Sequence, residues 1–418
     1  MSKKKAVVPR LRFPEFRDAG EWEVKNLGTV ASLKNGYAFK SSEYIDSGQY
    51  KIITIANVQE GMLSLESTKT IAKLPADIQA HQILCFGDIL ISMTGNVGRV
   101  CRVTVENLLL NQRVGKLIPE KINDVFFYQL LQRDEFRNNM LLKAAGGAQG
   151  NLSSDDIKGY IISYPCIQKE QQKIADCLSS LDEVIELQAK RLDAIKAHKK
   201  CLLQQLFPRE GETTPRLRFP EFRDAGPWEV KRLGEVLTEH KLKSSGREEV
   251  FSVSIHKGLI NQIEHLGRSF AAASTAHYNR VLPGDIVYTK SPTGDFPFGI
   301  VKQNKTGRSV IVSPLYGVFS PVNFALGVLI DAFFESPQRT KAFLEPLVQK
   351  GAKNTINIKN DRFLSGTMVL PSIEKEQQKI ADCLSSLDEL IELQAQRLDA
   401  LKAHKKGLLQ QLFPQEVE

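Results

Sequence analysis

A 40-residue amphipathic segment that occurs twice constrains this chain more than any other feature of its sequence. It runs from Lys169 to Pro208 and again from Lys375 to Pro414, with 36 of 40 positions identical at a constant offset of 206 residues. The first copy has no internal glycine, and its only proline ends it. At ~1.5 Å per residue, a helix of this length would extend for about 60 Å. The sequence therefore predicts two helices too long for a single globular core.

Apolar side chains along each copy follow alternating steps of four and three residues, which is the spacing of a coiled-coil seam. Because one such helix cannot bury its seam alone, we expect the two helices to pair. Gln188 and Lys199 interrupt the first seam, and Gln394 and Lys405 interrupt the second. Polar seam residues either fix register and orientation or mark where a helix leaves its partner, and both interpretations remain open. The apolar positions of the predicted seam are Ile174, Leu178, Leu181, Ile185, Leu192, Ile195, Leu202, Leu206, Ile380, Leu384, Leu387, Ile391, Leu398, Leu401, Leu408 and Leu412.

A second repeat lies at the same offset and defines the domain organisation. Residues 9–28 recur as 215–234 with two substitutions, and they contain both tryptophans, Trp22 and Trp228. Large apolar side chains among prolines favour an irregular structural segment over an alternative in which the aromatic rings stack on bases. The predicted divisions are an N-terminal segment 1–28, a first block 29–168, a central long helix 169–208, a joint with the repeated segment 209–234, a second block 235–374 and a C-terminal long helix 375–418.

The two blocks share an order of predicted elements but little sequence. Each contains a Gly-Asp-Ile turn before a strand-like run, a helical stretch (126–143 or 325–350), a turn rich in glycine and asparagine, and a final strand that ends in Pro165 or Pro371. This mixture predicts an α/β (α+β) domain of about 140 residues in each block. A pseudo-twofold axis is the simplest relation between two equivalent units. We therefore expect two globular domains separated by two long antiparallel coiled-coil helices that pair within one chain.

Composition and motifs limit the classes of function. The chain has 418 residues, of which 42% are hydrophobic and 25% charged, and no run approaches the ~18 apolar residues of a membrane span, so we expect a cytoplasmic protein. Six cysteines show no spacing typical of zinc sites, and we expect no metal. No GxxxxGK[ST], HExxH, GxSxG or Asn-Pro-Pro-aromatic motif is present, and the glycines of Thr94–Gly98 fit a tight turn better than a phosphate cradle. We therefore expect no catalysis by this chain.

The distribution of charge weakly favours a polyanionic partner. The net charge of the chain is +8, and Lys and Arg exceed Asp and Glu by 2 over residues 24–168 and by 6 over residues 230–374, whereas the long helices are nearly neutral. A helix of ~60 Å is slightly shorter than two turns of B-DNA at roughly 34–36 Å per turn. Two unlike domains on such a spacer could contact two unlike half-sites.

Taken as an ordered set, these features resemble the specificity subunit of a type I restriction-modification system. The resemblance rests on the helix sequence KEQQKIADCLSSLDEVIELQ, on the Gly-Asp-Ile turns Gly87–Ile89 and Gly284–Ile286, on the proline before each helix, and on the RLRFPEFRD and WEVK repeats. It covers essentially the whole chain. The alternative that the sequence leaves open is a coiled-coil scaffold that binds other proteins without recognising DNA.

The resemblance implies a division of labour among subunits. The two blocks would be target recognition domains, each reading half of a split, asymmetric sequence in double-stranded DNA, and the coil would set the gap. Two methyltransferase subunits would dock on the repeated regions, and restriction subunits would join them. S-adenosylmethionine, ATP and Mg²⁺ would serve those partners, with no cofactor in this chain.

Candidate base-reading residues follow from the preference of Arg, Lys, Asn and Gln for bidentate hydrogen bonds in the major groove, especially on turns. The alternative for each is a turn residue that bonds its own backbone, or a solvated charge. The predicted DNA-binding residues are Asn96, Arg99, Gln112, Arg113, Gln149, Asn151, Lys290, Thr293, Lys302, Lys353 and Asn354.

Overall fold

The computed structural model describes residues 7–146, 150–263, 275–350 and 356–415, which belong to two compact units. The first unit comprises Met1–Ala189 and Arg397–Glu418, and the second comprises Lys190–Gln396. Each long helix therefore contributes to both units. Each unit combines one block, one copy of the repeated segment (9–28 or 215–234) and parts of both long helices. We call this repeated segment the proline-rich segment.

The described part of the first unit is a mixed fold in which most strands precede the helices. The strands are β1 Glu23–Asn26, β2 Ala31–Asn35, β3 Tyr50–Ile53, β4 Lys69–Ile71, β5 Ile83–Leu84, β6 Ile89–Ser92, β7 Val100–Arg102, β8 Leu108–Leu110, β9 Val114–Pro119 and β10 Ile161–Tyr164. The helices are α1 Asp124–Leu131, α2 Asp134–Gly146, α3 Ser154–Lys158 and the central long helix α4 Gln168–Leu206.

The second unit is also a mixture of strands and helices, but its element order differs in part. Its strands are β11 Glu229–Arg232, β12 Leu237–Glu239, β13 Phe251–Ser254, β14 Gly258–Asn261, β15 Asn279–Val281, β16 Ile286–Tyr288, β17 Val301–Gln303, β18 Val310–Val312, β19 Gly317–Pro321, β20 Gln349–Lys350, β21 Ile356–Asn357 and β22 Thr367–Leu370. Its described helices are α5 Leu233–Val236, α6 Phe324–Phe333, α7 Pro337–Leu344, α8 Asn360–Ser365 and the C-terminal long helix α9 Glu374–Leu412.

A four-stranded antiparallel sheet of the same order occurs in both units. The order is β2-β9-β6-β7 in the first unit and β12-β19-β16-β17 in the second. The strands β6 and β16, which follow the Gly-Asp-Ile turns, are wholly buried and occupy the same place in the two sheets. A smaller antiparallel pair, β1/β10 or β11/β22, leads into each long helix. The two blocks thus share a topology that their sequences barely reveal.

Each predicted helical stretch is divided into two helices by local capping signals. The first stretch becomes α1 and α2, and the second becomes α6 and α7. Ser336 caps α7 by accepting from the amide of Arg339, and Pro337 occupies its first turn, where a proline is tolerated. Asn123 and Asn323 cap α1 and α6 in the same way. The helical stretch predicted for each block therefore holds two helices, and the last two residues of the second stretch, Gln349–Lys350, form β20 instead.

The long helices have nearly the predicted bounds, and none of the predicted seam side chains is exposed. Helix α9 ends at Leu412 and not at residue 418, because Pro414 cannot continue a helix. In the first unit the beginning of α4, with Ile174 and Leu178, packs in one core with Leu409 and Leu412 near the end of α9. In the second unit Leu203 and Leu206 near the end of α4 pack with the beginning of α9. The helices are therefore antiparallel in each unit.

The polar seam residues include an ion pair between the helices in each unit. Lys405 Nζ lies 2.5 Å from Asp182 Oδ1, and Lys199 Nζ lies 2.5 Å from Asp388 Oδ1. Lys199 also contacts Glu335 of the second block at 2.8 Å. Both lysines are paired across the interface, so they fix the register and do not mark a point where the helices separate.

The proline-rich segment attaches each block to both helices through a buried arginine and tryptophan. Arg12 donates from Nε and Nη2 to the two carboxylate oxygens of Glu170 at 2.7 and 2.8 Å, and Trp22 Nε1 donates to the same carboxylate at 3.3 Å. The amide of Leu11 donates to the carbonyl of Gln411 at 2.8 Å. Because Trp22 is buried, it is unavailable for base stacking.

The second unit reproduces this attachment. Arg218 donates to both oxygens of Glu376 at 2.6 and 2.7 Å, Trp228 donates to the same carboxylate at 3.2 Å, and the amide of Leu217 donates to the carbonyl of Gln205. Bidentate, charge-assisted pairs of this kind are geometrically specific. The repeated sequence therefore encodes a repeated structural contact.

Each block carries an arginine that packs on the phenylalanine directly after the last residue of a long helix. Arg133 lies 5.4 Å from the ring centroid of Phe413 and donates to the carbonyl of Pro414 at 3.0 Å. Arg339 lies 5.1 Å from the ring of Phe207 and donates to the carbonyl of Leu203 at 2.9 Å. Cation–π contacts of this kind add to apolar packing. They hold each block against the end of a long helix.

We predict that Glu170→Gln lowers the free energy of unfolding by about 3 kcal/mol or more, because the guanidinium of Arg12 would stay buried without its counter-charge. Side-chain exposure in this pair is 7% for Arg12 and 1% for Glu170. Urea denaturation followed by tryptophan fluorescence measures the effect. The control is Glu15→Gln, which removes an exposed partner of Lys173 and should leave the transition unchanged. Equal transitions for wild type and Glu170→Gln would contradict the prediction.

Candidate nucleic-acid interface

One loop in each unit joins equivalent strands of the matched sheet. Residues 93–99 connect β6 to β7, and residues 289–300 connect β16 to β17. The sequences are MTGNVGR and TKSPTGDFPFGI, which share only a Thr-Gly pair and a later glycine. We call these two connections the recognition loops. Despite their different lengths, they are held by the same three anchors.

The first anchor is a hydroxyl group that closes the base of each recognition loop. The amide of Arg99 donates to Ser92 Oγ at 3.1 Å, while the amide of Ser92 donates to the carbonyl of Arg99 at 3.0 Å. In the second unit the amide of Ile300 donates to Thr289 Oγ1 at 3.0 Å, and the amide of Thr289 donates to the carbonyl of Ile300 at 3.0 Å. A side-chain hydroxyl therefore replaces a main-chain carbonyl at the same place in both loops.

The second anchor is a glycine in a left-handed conformation just before the closing residue. Gly98 has φ 74° and Gly299 has φ 100°, a region that other residues rarely adopt. A β-carbon on Gly98 would lie 2.7 Å from that of Met140, and one on Gly299 would lie 2.8 Å from the amide nitrogen of Lys290. Both positions therefore require glycine for conformation and for space.

The third anchor is contact with a second loop, which follows β3 or β13. A β-carbon on Gly95 would meet Ile55 at 3.1 Å, and one on Gly294 would meet Ile255 at 3.2 Å. The shared Thr-Gly pair of each recognition loop thus lies on an isoleucine of a neighbouring loop. Each interface is therefore assembled from two loops that are held together by the same contact.

Three segments of the first unit that carry predicted residues meet at the backbone of Met93. The amide of Met93 donates to the carbonyl of Arg113 at 3.1 Å, and its carbonyl accepts from the amide of Leu152 at 2.8 Å. The exposed predicted side chains on these three segments are those of Asn96, Gln112, Arg113 and Asn151. Residues from three separate segments therefore form one polar surface.

Arg99, unlike the exposed residues just named, is half-buried. Its guanidinium donates from Nη1 to Gln59 Oε1 at 2.5 Å, and its Nε is buried without a hydrogen-bond partner among the described residues. Ile300, at the equivalent place in the second unit, is buried. Arg99 therefore connects the recognition loop to the second loop, and DNA contact by this residue stays a prediction.

In the second unit, Lys290 and Thr293 lie on the recognition loop. Thr293 is exposed and pairs with Phe296 across a tight turn. Lys290 has φ 60°, a costly conformation for a residue with a side chain and one that clusters at functional sites. Burial lowers the pKa of Lys290, although nearby Glu239 acts in the opposite direction.

Lys302 occupies a place that argues against its predicted role. It is 7% exposed and its Nζ lies 3.5 Å from Asp331 Oδ1, beside Lys305, which contacts both Asp331 and Asp388. Burial opposes the charged form of Asp331, but the two lysines prevail and lower its pKa. Lys302 therefore belongs to an internal ion network: strand β17 packs against α6, which carries Asp331, and Lys305 extends the network to Asp388 on α9.

Three predicted residues, Gln149, Lys353 and Asn354, lie outside the described residues. The sequence analysis missed the second loops, including Gln59 in the first unit and the exposed His256 and Lys257 in the second. The only signal for them is a hydroxyl residue followed by isoleucine after a short strand, Thr54-Ile55 and Ser254-Ile255. That signal is too short to be recognised without coordinates.

Within residues 7–146, 150–263, 275–350 and 356–415, no group of three or more His, Cys, Asp or Glu side chains is placed to hold a metal ion. The six cysteines are free thiols. Within the same ranges, no helix has both the length and the apolar character that crossing a membrane requires.

Comparison with known proteins agrees with this architecture. The family model for the type I restriction modification DNA specificity domain matches residues 19–197 and 279–403. The putative type I restriction enzyme MjaX specificity subunit of Methanocaldococcus jannaschii is 22% identical over 417 residues, covering 94% of this chain and 93% of the relative. The MjaIX specificity subunit of the same organism is 23% identical over 271 residues, covering 62% of each chain.

A solved structure shares the fold. The S subunit of a type I restriction-modification system from M. genitalium is 14% identical, has a TM-score of 0.61, and the likeness covers 98% of this chain and 100% of that one. Two matched regions of the family model, a nearly full-length relative and a common fold coincide on one chain. The chain therefore belongs to the family of type I restriction-modification specificity subunits, with two DNA specificity domains.

Proposed function

We propose that each unit reads one half of a split, asymmetric DNA target through its recognition loop and the second loop beside it. The observation that carries the proposal is the pair of loops with identical anchors and different exposed residues. The recognition loop of the first unit presents Asn96 between its anchors, and the recognition loop of the second unit presents Thr293 and Asp295. Unlike donors and acceptors on a common framework are suited to reading unlike base pairs.

Affinity would come from contacts that do not depend on sequence. Exposed Arg113 in the first unit and exposed Lys257 in the second lie beside the loops and are suited to phosphate contacts. Such contacts position a protein on a duplex, whereas base-edge contacts supply specificity. A scaffold that binds only proteins, the alternative left open by the sequence, is not supported, since the matched family domain is a DNA specificity domain.

The repeated helices also present apolar side chains outside the seam. Leu187 in the first unit is 65% exposed and its copy Leu393 in the second is 60% exposed, with Val184 and Leu390 one turn away. Large exposed leucines on a long helix mark an interaction surface. Because the same surface occurs twice, it is suited to two copies of one partner, and we assign it to two methyltransferase subunits.

The chemistry would then lie in the partner subunits. S-adenosylmethionine would serve the methyltransferase subunits, and ATP and Mg²⁺ would serve the restriction subunits that join the complex. This chain would select the target without taking part in catalysis. We place the assembled complex in the cytoplasm, where chromosomal DNA is accessible.

Replacing block 29–168 with the corresponding block of a relative should change one half of the recognised sequence and leave the other half unchanged. The reason is that each block carries its own pair of loops. Methylation mapping of DNA from a host that expresses the complex measures both halves. The reciprocal replacement of block 235–374 is the control. A change in both halves, or in neither, would rule out independent reading by two units.

We predict that Asn96→Ala lowers affinity for the mapped target about tenfold, because a bidentate amide contact contributes about 1–3 kcal/mol of discrimination. Fluorescence anisotropy with the complete complex and synthetic duplexes measures the effect. The loss should disappear when one base pair of one half-site is replaced. Asn26→Ala, which changes an exposed residue on β1, is the control.

The same titrations distinguish phosphate contacts from base contacts. For Arg113→Ala, affinity should fall alike for all duplexes, and the dependence of log K on log salt should become shallower by about 1. If neither Asn96→Ala nor Arg113→Ala altered binding, DNA contact by the polar surface around Met93 would be excluded.

Leu187→Asp and Leu393→Asp should each remove one methyltransferase subunit from the complex, and the double variant should remove both. A carboxylate would disrupt an apolar contact with the partner, yet at an exposed position it should not destabilise the chain. Native mass spectrometry of co-expressed subunits counts the copies. The control is Leu142→Asp, at a residue that is 74% exposed but lies in a block and is not repeated. Retention of two copies by the double variant would refute the assigned surface.

A further inference from the structure

We infer that Ser92 and Thr289 are positioning residues that set the conformation of the two recognition loops and thereby determine how sharply each half-site is discriminated. The inference rests on the proposed function, because it assigns a role to residues behind the surface that would read DNA. Neither hydroxyl reaches that surface, since Ser92 is 0% exposed and Thr289 is 3% exposed.

Each hydroxyl satisfies a main-chain group that would otherwise be buried without a partner. In the first unit, Ser92 Oγ accepts from the amide of Arg99 and donates to the carbonyl of Asn96 at 2.5 Å. The carbonyl of Ser92 is thereby left for the amide of Gly98, which donates to it at 2.9 Å. Two successive residues then oppose Ser92, with glycine in the left-handed conformation, as in a β-bulge.

The bulge fixes the residue that projects from the loop. Ser92 Oγ donates to the carbonyl of Asn96, so the backbone that carries the Asn96 side chain is held in one position. Without the hydroxyl, the amide of Arg99 would need another acceptor, and the loop would sample other conformations. Contacts made by a loop that must first be ordered are weakened by the entropy cost of ordering, so affinity for the matched duplex falls. A duplex that already lacks those base contacts loses less, and the ratio between the two affinities falls.

The recurrence of this contact separates it from ordinary packing. The blocks have little sequence in common, and the recognition loops differ in length, yet a hydroxyl residue closes both loops through the same pair of hydrogen bonds. An uninterrupted antiparallel ladder would satisfy the same amides without any side chain. The hydroxyl is needed because the backbone leaves the β-ladder here, and the amide of Arg99 or Ile300 then bonds a side chain in place of a main-chain carbonyl.

The test uses the complete complex with its methyltransferase subunits. Its probes are a synthetic duplex carrying the sequence found by methylation mapping, and duplexes with one base pair replaced in either half. The affinity ratio between matched and replaced duplexes is the discrimination of that half-site. The variants are Ser92→Ala and Thr289→Val, with Ser92→Thr and Thr289→Ser as conservative replacements that keep the hydroxyl.

We expect Ser92→Ala to reduce discrimination about tenfold in one half-site only, and Thr289→Val to do so in the other half-site only. The conservative variants should retain wild-type discrimination. Thr340→Val is the matched control, because it removes a buried hydroxyl of the second unit that donates to the carbonyl of Phe334 at 3.0 Å, away from the recognition loop. It should lower the melting temperature without changing discrimination in either half-site.

Several results would overturn the inference. Wild-type discrimination in both Ser92→Ala and Thr289→Val would do so, as would an equal loss in both half-sites or a similar loss in Thr340→Val. Since the two variants act on different units, Thr289→Val carries the test if Ser92→Ala does not assemble. A wild-type complex that binds matched and replaced duplexes alike would refute the proposed function together with this inference.

Discussion

An ion pair between the two long helices occurs once in each unit, between Lys405 and Asp182 and between Lys199 and Asp388. It reflects the distribution of charge along the repeat. The first 21 residues of each copy carry a net charge of −3, whereas the next eleven carry +4 in the central helix and +3 in the C-terminal helix. Antiparallel pairing sets acidic segments against basic ones, and parallel pairing would oppose like charges. In each unit, the core that joins the beginning of one long helix to the end of the other depends on this orientation.

Much of the architecture was accessible from the sequence because it rests on periodicity and repetition. The seam spacing predicted two paired helices, and the constant offset predicted two equivalent units. The antiparallel orientation was inferred from symmetry alone, although the charge distribution would have supported it independently. The sequence did not locate the break inside the second helical stretch, where Ser336 and Pro337 begin a new helix although the apolar pattern continues through them.

The interface was less predictable, because its organisation depends on contacts between distant segments. Residue type identified Asn96, Arg113 and Asn151 as candidates, but only the hydrogen bonds of Met93 show that the segments carrying them are in contact. Lys302 illustrates this dependence: it is buried beside the carboxylate of Asp331, a residue distant in sequence, and the sequence around Lys302 carries no sign of that pairing. Net charge on a block gives no information about which side chains are already paired.

The near identity of the two long helices has a consequence for how the chain tolerates substitution. One sequence is used in two different surroundings: Lys199 and Lys405 make the equivalent contacts with Asp388 and Asp182, but Lys199 also contacts Glu335 of the second block. The positions that differ between copies include Lys190/Gln396 and Cys201/Gly407, of which Lys190, Gln396 and Cys201 are exposed and Gly407 is half-buried. A side chain in the repeat must therefore be compatible with two neighbourhoods at once, so the freedom of each helix to diverge is set by the more demanding of its two environments.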